Sequence, residues 1–120
     1  MWEISLPIWY LPCVAILAGG AIGVWSVTRL FLLSEGKEPI PIEFDDEIHA
    51  VYPVSGLLCV VSELSVSMYD PERARLIDRY QANDVLGISW WEGDRLLIAS
   101  VTGAPLMFRP GPDSVGYLGL

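Results

Sequence analysis

Few residues in this 120-residue chain have side chains that could carry out chemistry. His49 is the single histidine, and Cys13 and Cys59 are the two cysteines. A Ser-His-Asp or Cys-His arrangement would have to use His49, which falls in a stretch with the pattern of a strand. Cys59 has apolar neighbours, and such an environment raises the pKa of a thiol and makes it unreactive. The sequence therefore predicts no catalytic residue and indicates that the chain is not an enzyme.

The residues of a metal or cofactor site do not occur in a suitable pattern either. His49 follows an acidic cluster formed by Glu43, Asp45, Asp46 and Glu47. Adjacent carboxylates with one histidine lack the spacing of a calcium loop or a zinc site, so we expect a solvated acidic loop. The glycine-rich stretch 19–23 has no following Lys-Ser/Thr pair, so it is not a phosphate-binding loop. We expect no metal, no cofactor and no small-molecule substrate.

The composition narrows the class of protein. Apolar residues make up 52% of the chain, and fifteen acids against seven bases give a net charge of −8. Seven scattered cations cannot form a patch that neutralises a phosphate backbone, so nucleic acid is not an expected partner. Five Trp, five Tyr and three Phe are too many for a disordered chain. We expect a folded chain with an unusually apolar N-terminal part.

The apolar residues concentrate near the N-terminus. Residues 4–28 contain no charged side chain, and the apolar character continues to Leu33. A run of more than about 18 such residues is typical of a membrane-spanning helix. A secretory signal is the alternative, but Glu3 precedes the run and no basic residue does. We therefore predict an outer N-terminal segment over residues 1–11 and a permanent transmembrane helix over residues 12–33.

The flanks of this helix predict its orientation. Arg29 and Lys37 lie on the C-terminal side, and the N-terminal side has no basic residue. The positive-inside rule then places the N-terminus outside, in the periplasm, and the rest of a single-pass protein in the cytoplasm. Trp2, Trp9 and Tyr10 are expected at the outer membrane interface, and Arg29 reaches the inner one.

One face of the predicted helix carries a stripe of small residues. Ala15, Gly19 and Gly23 repeat every four positions, a spacing that lets another membrane helix approach closely. Glycine and alanine are also common in membrane helices for no specific reason, so both interpretations stay open. In the first interpretation, the partners are the lipid bilayer and other subunits of an integral-membrane complex.

The rest of the chain predicts a small antiparallel β domain. Residues 34–47 resemble an acidic, proline-containing linker, residues 48–111 a β domain, and residues 112–120 an extended tail. About seven strands are expected, over 48–54, 57–62, 64–69, 75–80, 86–91, 95–101 and 105–109. Two continuous apolar runs, Leu57–Val61 and Leu96–Val101, have the pattern of strands buried on both faces. The predicted fold class is thus a membrane-anchored all-β protein.

The β domain also contains an internal similarity at an offset of 39 residues. It aligns Leu57 and Leu58 with Leu96 and Leu97, Tyr52 with Trp91, Met68 with Met107, Tyr69 with Phe108, and Pro71 with Pro110. The two units resemble the blades of WD-type β-propellers, whose repeats have nearly this length. Neither unit has the family's Gly-His pair, and Tyr69-Asp70 and Phe108-Arg109 replace its Trp-Asp pair. The resemblance implies blade-like meanders, although two blades do not close a ring of four to eight.

The small size of the predicted β domain indicates an expected function. The stretch after the linker is too short to be comfortably stable alone, so partners are expected to complete it. Candidate contact residues are the aromatic side chains Trp90, Trp91, Phe108 and Tyr117, for each of which core packing is the default interpretation.

The leading hypothesis is therefore a non-catalytic, single-pass accessory subunit that braces a larger membrane complex, of photosynthetic, respiratory or transport type. Its layout is similar to that of the H subunit of purple-bacterial reaction centres. A membrane-tethered adaptor that captures a peptide or protein by edge pairing is the alternative, and assembly of several copies into a ring is a third possibility.

Overall fold

The computed structural model describes residues 13–16 and 21–119, and these residues form an all-β fold. Twelve strands build three antiparallel sheets of four strands each. The strands are β1 (Cys13–Ile16), β2 (Ile22–Ser26), β3 (Arg29–Leu33), β4 (Ile40–Glu43), β5 (Ile48–Val54), β6 (Leu57–Ser62), β7 (Ser65–Asp70), β8 (Arg75–Gln81), β9 (Leu86–Glu92), β10 (Arg95–Ser100), β11 (Leu106–Phe108) and β12 (Tyr117–Gly119).

Each sheet is a meander in which consecutive strands pair. The first sheet has the order β1-β2-β3-β4, the second β5-β6-β7-β8 and the third β9-β10-β11-β12. Short turns make this possible, as between β5 and β6, where Ser55 and Gly56 have φ values of 49° and 82°. Two successive positive φ values are those of a type I′ turn, whose twist matches that of the strands it joins.

The predicted transmembrane helix is wrong. The apolar run over residues 12–33 contains β1, β2 and β3, with a turn at Val27 and Thr28. Over the described residues, the structure has no helix with the length and apolar character needed to cross a bilayer. The run is continuous because β3 is buried on both faces, from Leu30 to Leu33, and such a strand lacks the polar alternation that would identify it. The length of the apolar run alone therefore does not distinguish one membrane-spanning helix from three strands.

The β part of the prediction is accurate over residues 48–109. All seven predicted strands are present, each with bounds within one residue of those expected. The predicted linker over 34–47 instead contains β4, and the predicted tail over 112–120 contains β12. Both additional strands are short and lie at sheet edges, where proline and glycine are tolerated.

Two hydrophobic clusters hold the three sheets together. In the first, Leu30 and Trp25 of the first sheet pack near Val60 of the second. In the second, Met68 of the second sheet and Leu96 of the third are fully buried in the same cluster. The middle sheet is therefore covered on both faces, as the apolar run Leu57–Val61 predicts.

The connections between sheets share one hydrogen-bonding pattern. Where the first sheet leads into the second, the amides of Phe44 and Ile48 donate to the carbonyls of the turn residues Thr28 and Val27. Where the second leads into the third, the amides of Ala82 and Leu86 donate to the carbonyls of Leu64 and Glu63, at distances of 2.8 Å. Each connection is thus fastened to the turn between the second and third strands of the sheet it leaves.

Candidate functional site

The outer face of the third sheet, which points away from the second sheet, carries an exposed apolar patch. In the strand register, Leu97 lies opposite Trp90 on one side and Met107 on the other, so the three side chains form a row across β9, β10 and β11. Ile88 is 84% exposed and Trp90 is 64% exposed. We call this patch the uncovered face and define it by Ile88, Trp90, Leu97, Ala99 and Met107.

The uncovered face is not flat. Beside Trp90, a hollow of about 370 Å³ has Leu97 and Met107 among its lining residues, with Glu92, Asp94 and Arg95 forming its polar part. Trp90 does not line this hollow, but it lies directly opposite Leu97, which does, and its side chain is largely exposed. The face therefore presents a large apolar projection and a cavity side by side.

The charges around the hollow balance each other. Arg95 lies opposite Glu92 in the β9–β10 register. Arg109 Nε lies 3.1 Å from Asp94 Oδ2, which pairs the remaining acid of this rim with a base. The rim thus carries two positive and two negative side chains, although the chain as a whole has a net charge of −8.

The half-buried carboxylate of Asp84 holds the loop that follows β10. Asp84 accepts hydrogen bonds from the Ser100 hydroxyl at 2.6 Å, from the Thr102 amide at 2.8 Å and from the Thr102 hydroxyl. The side-chain bonds from Ser100 and Thr102 are the main reason that the pKa of Asp84 lies well below its usual range. This contact connects the entrance to β9 with the end of β10 and so fixes the two strands that carry most of the uncovered face.

The structure separates the four aromatic residues predicted to contact a partner. Trp90 lies on the uncovered face, whereas Phe108 is fully buried in the cluster between the second and third sheets. Trp91 is partly buried, and its ring centroid lies 5.3 Å from that of Tyr52. Tyr117 is 49% exposed and stacks on Tyr80 with a centroid distance of 4.7 Å.

Neighbouring residues of one strand thus point to opposite faces, which explains the difference between Trp90 and Trp91.

Sequence reasoning did not single out as contact residues Ile88, Leu97 and Met107, which belong to the uncovered face. The signal for Leu97 was present in the run Leu96–Val101, which predicted burial on both faces. In the structure Leu96 and Ile98 are buried, but Leu97 is only partly buried and Ala99 is exposed. The predicted burial is therefore correct for Leu96 and Ile98 on the inner face of β10 and wrong for Ala99 on its outer face.

Of the residues predicted for helix packing and for the membrane interface, the structure describes Ala15, Gly23 and Arg29. Ala15 and Gly23 are opposite each other on β1 and β2, so they do not form the stripe of a helix. Arg29 begins β3 and forms an ion pair with Glu43 at 3.0 Å. Trp2, Trp9, Tyr10 and Gly19 lie outside the described residues. The membrane orientation inferred from Arg29 and Lys37 required the helix and has no basis without it.

Comparisons with protein-family models, with curated proteins and with solved structures found no match. The function is therefore inferred from the described side chains.

The histidine and the buried cysteine occupy different environments. His49 lines an open cavity of about 500 Å³ between β5 and β9, near the hydroxyls of Tyr52 and Ser89, which hydrogen-bond to each other at 2.6 Å. Cys59 has no exposed surface, and burial raises the pKa of its thiol to about 12. This thiol stays protonated at neutral pH, as its apolar neighbours predict.

The acids of the predicted loop are distributed among separate partners. Glu43 accepts hydrogen bonds from the Thr28 hydroxyl and from Arg29, and these bonds lower the pKa of Glu43. Asp46 accepts a hydrogen bond from Ser62 at 3.3 Å, and Asp45 lies 3.7 Å from Arg79. Within residues 13–16 and 21–119, no three acidic, histidine or cysteine side chains converge in a way that could hold a metal ion.

Proposed function

We propose that this chain is a non-catalytic interaction module that binds a protein through the uncovered face of its third sheet. The observation that carries the proposal is the exposure of Ile88 and Trp90, 84% and 64%, on a face that also has a hollow with Leu97 and Met107 in its lining. Large apolar side chains that stand together on a surface mark interaction sites, and tryptophan is enriched among the residues that contribute most to binding. The role is that of an accessory subunit or adaptor.

The proposal keeps the accessory role inferred from the sequence and omits the membrane anchor, because strands occupy most of the residues assigned to it. The comparison with the H subunit of reaction centres rested on that anchor and contributes nothing further. The likeness to propeller blades remains part of the proposal. Three meanders of the same strand order, fastened by the same pair of backbone hydrogen bonds at both connections, support it.

Capture of a peptide by edge pairing is less well supported. One edge strand of the first sheet is β4. It contains Pro41, which has no amide donor for an added strand. One edge strand of the second sheet is β8, which carries the charged residues Arg75 and Arg79. The carboxylate of Asp78 on this strand already accepts a hydrogen bond from the Val115 amide at 2.7 Å. Proline, charge and short length are the features that discourage added strands.

Site-specific photo-crosslinking in the cells that make the protein tests this proposal. A benzophenone side chain placed at position 90 should form covalent adducts with protein, because Trp90 is a large exposed side chain of the uncovered face. The same group at Leu76, an exposed residue of the edge strand β8, is the control. We expect adducts at position 90, their loss when Ile88→Asp is added, and few adducts at position 76. Equal labelling at both positions would contradict the proposal.

A further inference from the structure

The uncovered face repeats the arrangement by which the second sheet contacts the third. In the second sheet, Tyr52, Cys59 and Met68 form a row across β5, β6 and β7, and this row packs against the third sheet. In the third sheet, Trp90, Leu97 and Met107 hold the same places in the row across β9, β10 and β11. The first row lies in a hydrophobic cluster, and the second is open to solvent.

The pattern of residues in β10 points in the same direction. A continuous apolar stretch is typical of a strand that is covered on both faces, as β6 is. In β10, only Leu96 and Ile98 are buried, and the residues between and after them face the open side. The sequence of β10 thus suits an assembly in which its outer face is also covered.

The shape of the face indicates what covers it. Trp90 is largely exposed and lies opposite Leu97, which lines the hollow together with Met107 and the charged residues Glu92, Asp94 and Arg95. One surface therefore contains a large exposed apolar side chain and a cavity. When two such surfaces meet about a two-fold axis, each projection enters the hollow of the other copy. A self-complementary face of this kind is what a symmetric pair requires, and symmetric pairs are the commonest oligomers.

Other sheet faces of a second copy are not open in the same way. Both faces of the second sheet and the inner faces of the other two lie in the two hydrophobic clusters. On the outer face of the first sheet, Phe31 and Leu33 are only 6% and 7% exposed. Among the sheet faces that the structure describes, the uncovered face therefore presents the two largest exposed fractions on a sheet strand for big apolar side chains, those of Ile88 and Trp90, with that of Val14 on the first sheet equal to the latter.

Charge favours contact at this place as well. Two copies with a net charge of −8 each repel one another over most of their surfaces. The rim of the hollow is an exception, because Glu92 and Asp94 are balanced by Arg95 and Arg109. A strongly basic partner would instead be drawn to the acids at residues 43–47.

From these observations we propose that the partner is a second copy of this chain, docked face to face through Ile88, Trp90, Leu97 and Met107. The inference rests on the proposed function and names its partner. β9 and β10 have seven and six residues and are roughly 20 Å long, whereas β11 has three residues. The face that these strands form is smaller than a standard interface, so we expect weak association with a dissociation constant on the order of tens of micromolar.

Sedimentation velocity of the purified full chain, from about 1 to about 200 µM, tests the proposal. The wild type should shift with concentration from the mass of one chain to that of two. Ile88→Asp should weaken this association at least tenfold, because it buries a charge in each half of the interface. Leu76→Asp is the matched control, since it places the same acid at an exposed aliphatic position of another edge strand, and it should associate like the wild type.

A second measurement locates the contact. A mixture of isotopically light and heavy protein with a benzophenone at position 90 should give mixed-isotope adducts, joined to the peptides that contain Leu97 or Met107. Adducts confined to peptides of the first two sheets would overturn the proposal, as would a wild type that stays monomeric or an Ile88→Asp variant that associates normally.

The outcomes also separate this inference from the proposed function. If the purified chain stays monomeric while position 90 is crosslinked to a different protein in cells, the second copy is the wrong partner and the interaction role stands. If position 90 forms no adduct in either setting, both proposals are wrong.

Discussion

Asp84 is the residue on which the loop at the end of β10 depends. Its carboxylate accepts hydrogen bonds from Ser100 and Thr102, and the Gly103 amide in turn donates to the Ser100 hydroxyl at 2.9 Å. These bonds are made to the charged form, which is why the pKa of Asp84 is lowered in the folded chain. A group with a lowered pKa stabilises the fold above its unfolded value, and this contribution disappears as the pH falls through the folded value.

We therefore expect the Asp84→Asn variant to lose less of its free energy of unfolding on acidification than the wild type does. For the wild type, the contribution of Asp84 is complete above the ordinary aspartate pKa of 3.8 and declines below it. The variant should be less stable than the wild type at pH 7, and its free energy of unfolding should fall less steeply between about pH 5 and pH 2. Urea denaturation across this range measures the slope. Asp113→Asn, at an exposed loop position, is the control, and equal slopes for both variants would contradict the role of Asp84.

At the scale of elements, the third sheet depends on how its last strand returns. The Arg109 amide donates to the Gly116 carbonyl at 2.8 Å, which closes the loop between β11 and β12. Gly116 has a φ of 67°, and a Cβ atom at this position would overlap the Arg109 carbonyl oxygen. Only glycine fits both the backbone conformation and the close approach.

Gly116→Ala should accordingly destabilise the chain by about 2–3 kcal/mol, through backbone strain and displacement of β12. Gly111→Ala is a suitable control, because a Cβ atom there would meet nothing within 4 Å and the residue has no positive φ. Thermal or urea unfolding of the two variants measures the difference. If Gly116→Ala were as stable as Gly111→Ala, the closure at Arg109 would not matter for the sheet.

The elements also show where sequence reasoning succeeds and fails. Alternation and turn residues define β5 to β11 closely, because most of these strands have one polar face or end at Gly, Pro or Asp. The first sheet was missed because β2 and β3 are joined at Val27 and Thr28, a turn without glycine or proline, with Val27 at a φ of 56°. Without such a marker, an apolar run of this length has the appearance of one long helix.

The uncovered face could be predicted only in part. Tryptophan at position 90 was an expected contact residue, but its strand neighbour Trp91 and the buried Phe108 were expected as well. Which tryptophan points outward depends on the register between β9 and β10, in which Trp90 lies opposite Leu97 and Trp91 opposite the buried Leu96. A shift of one residue reverses the two faces of a strand, and composition alone does not fix it.

At the scale of the whole molecule, the proposed pair of chains has a characteristic response to salt. Contact between surfaces of like charge strengthens as salt screens the repulsion, and contact between opposite charges weakens. The rim of the uncovered face is balanced, so its own contribution should change little with ionic strength. The distant acids of two chains, each with a net charge of −8, then leave a weak residual repulsion.

We expect the dissociation constant of the pair to fall by no more than about threefold between 50 and 500 mM NaCl, since only the screened long-range repulsion changes. Sedimentation at both salt concentrations measures this. A contact that weakens at least tenfold with added salt would instead indicate attraction between opposite charges, and would place the interface at the acidic residues 43–47 and a basic surface.

The pairing of each strand with its neighbour in the sequence affects how the chain acquires its structure. The first sheet closes within residues 13–43, the second within 48–81 and the third within 86–119. Hydrogen bonding in every sheet therefore needs only short loop closures, which favours rapid folding and allows each meander to form in order as the polypeptide leaves the ribosome. During synthesis, the newest sheet exposes the apolar face that the next sheet will cover, and misassembly between nascent chains is most favoured at this stage.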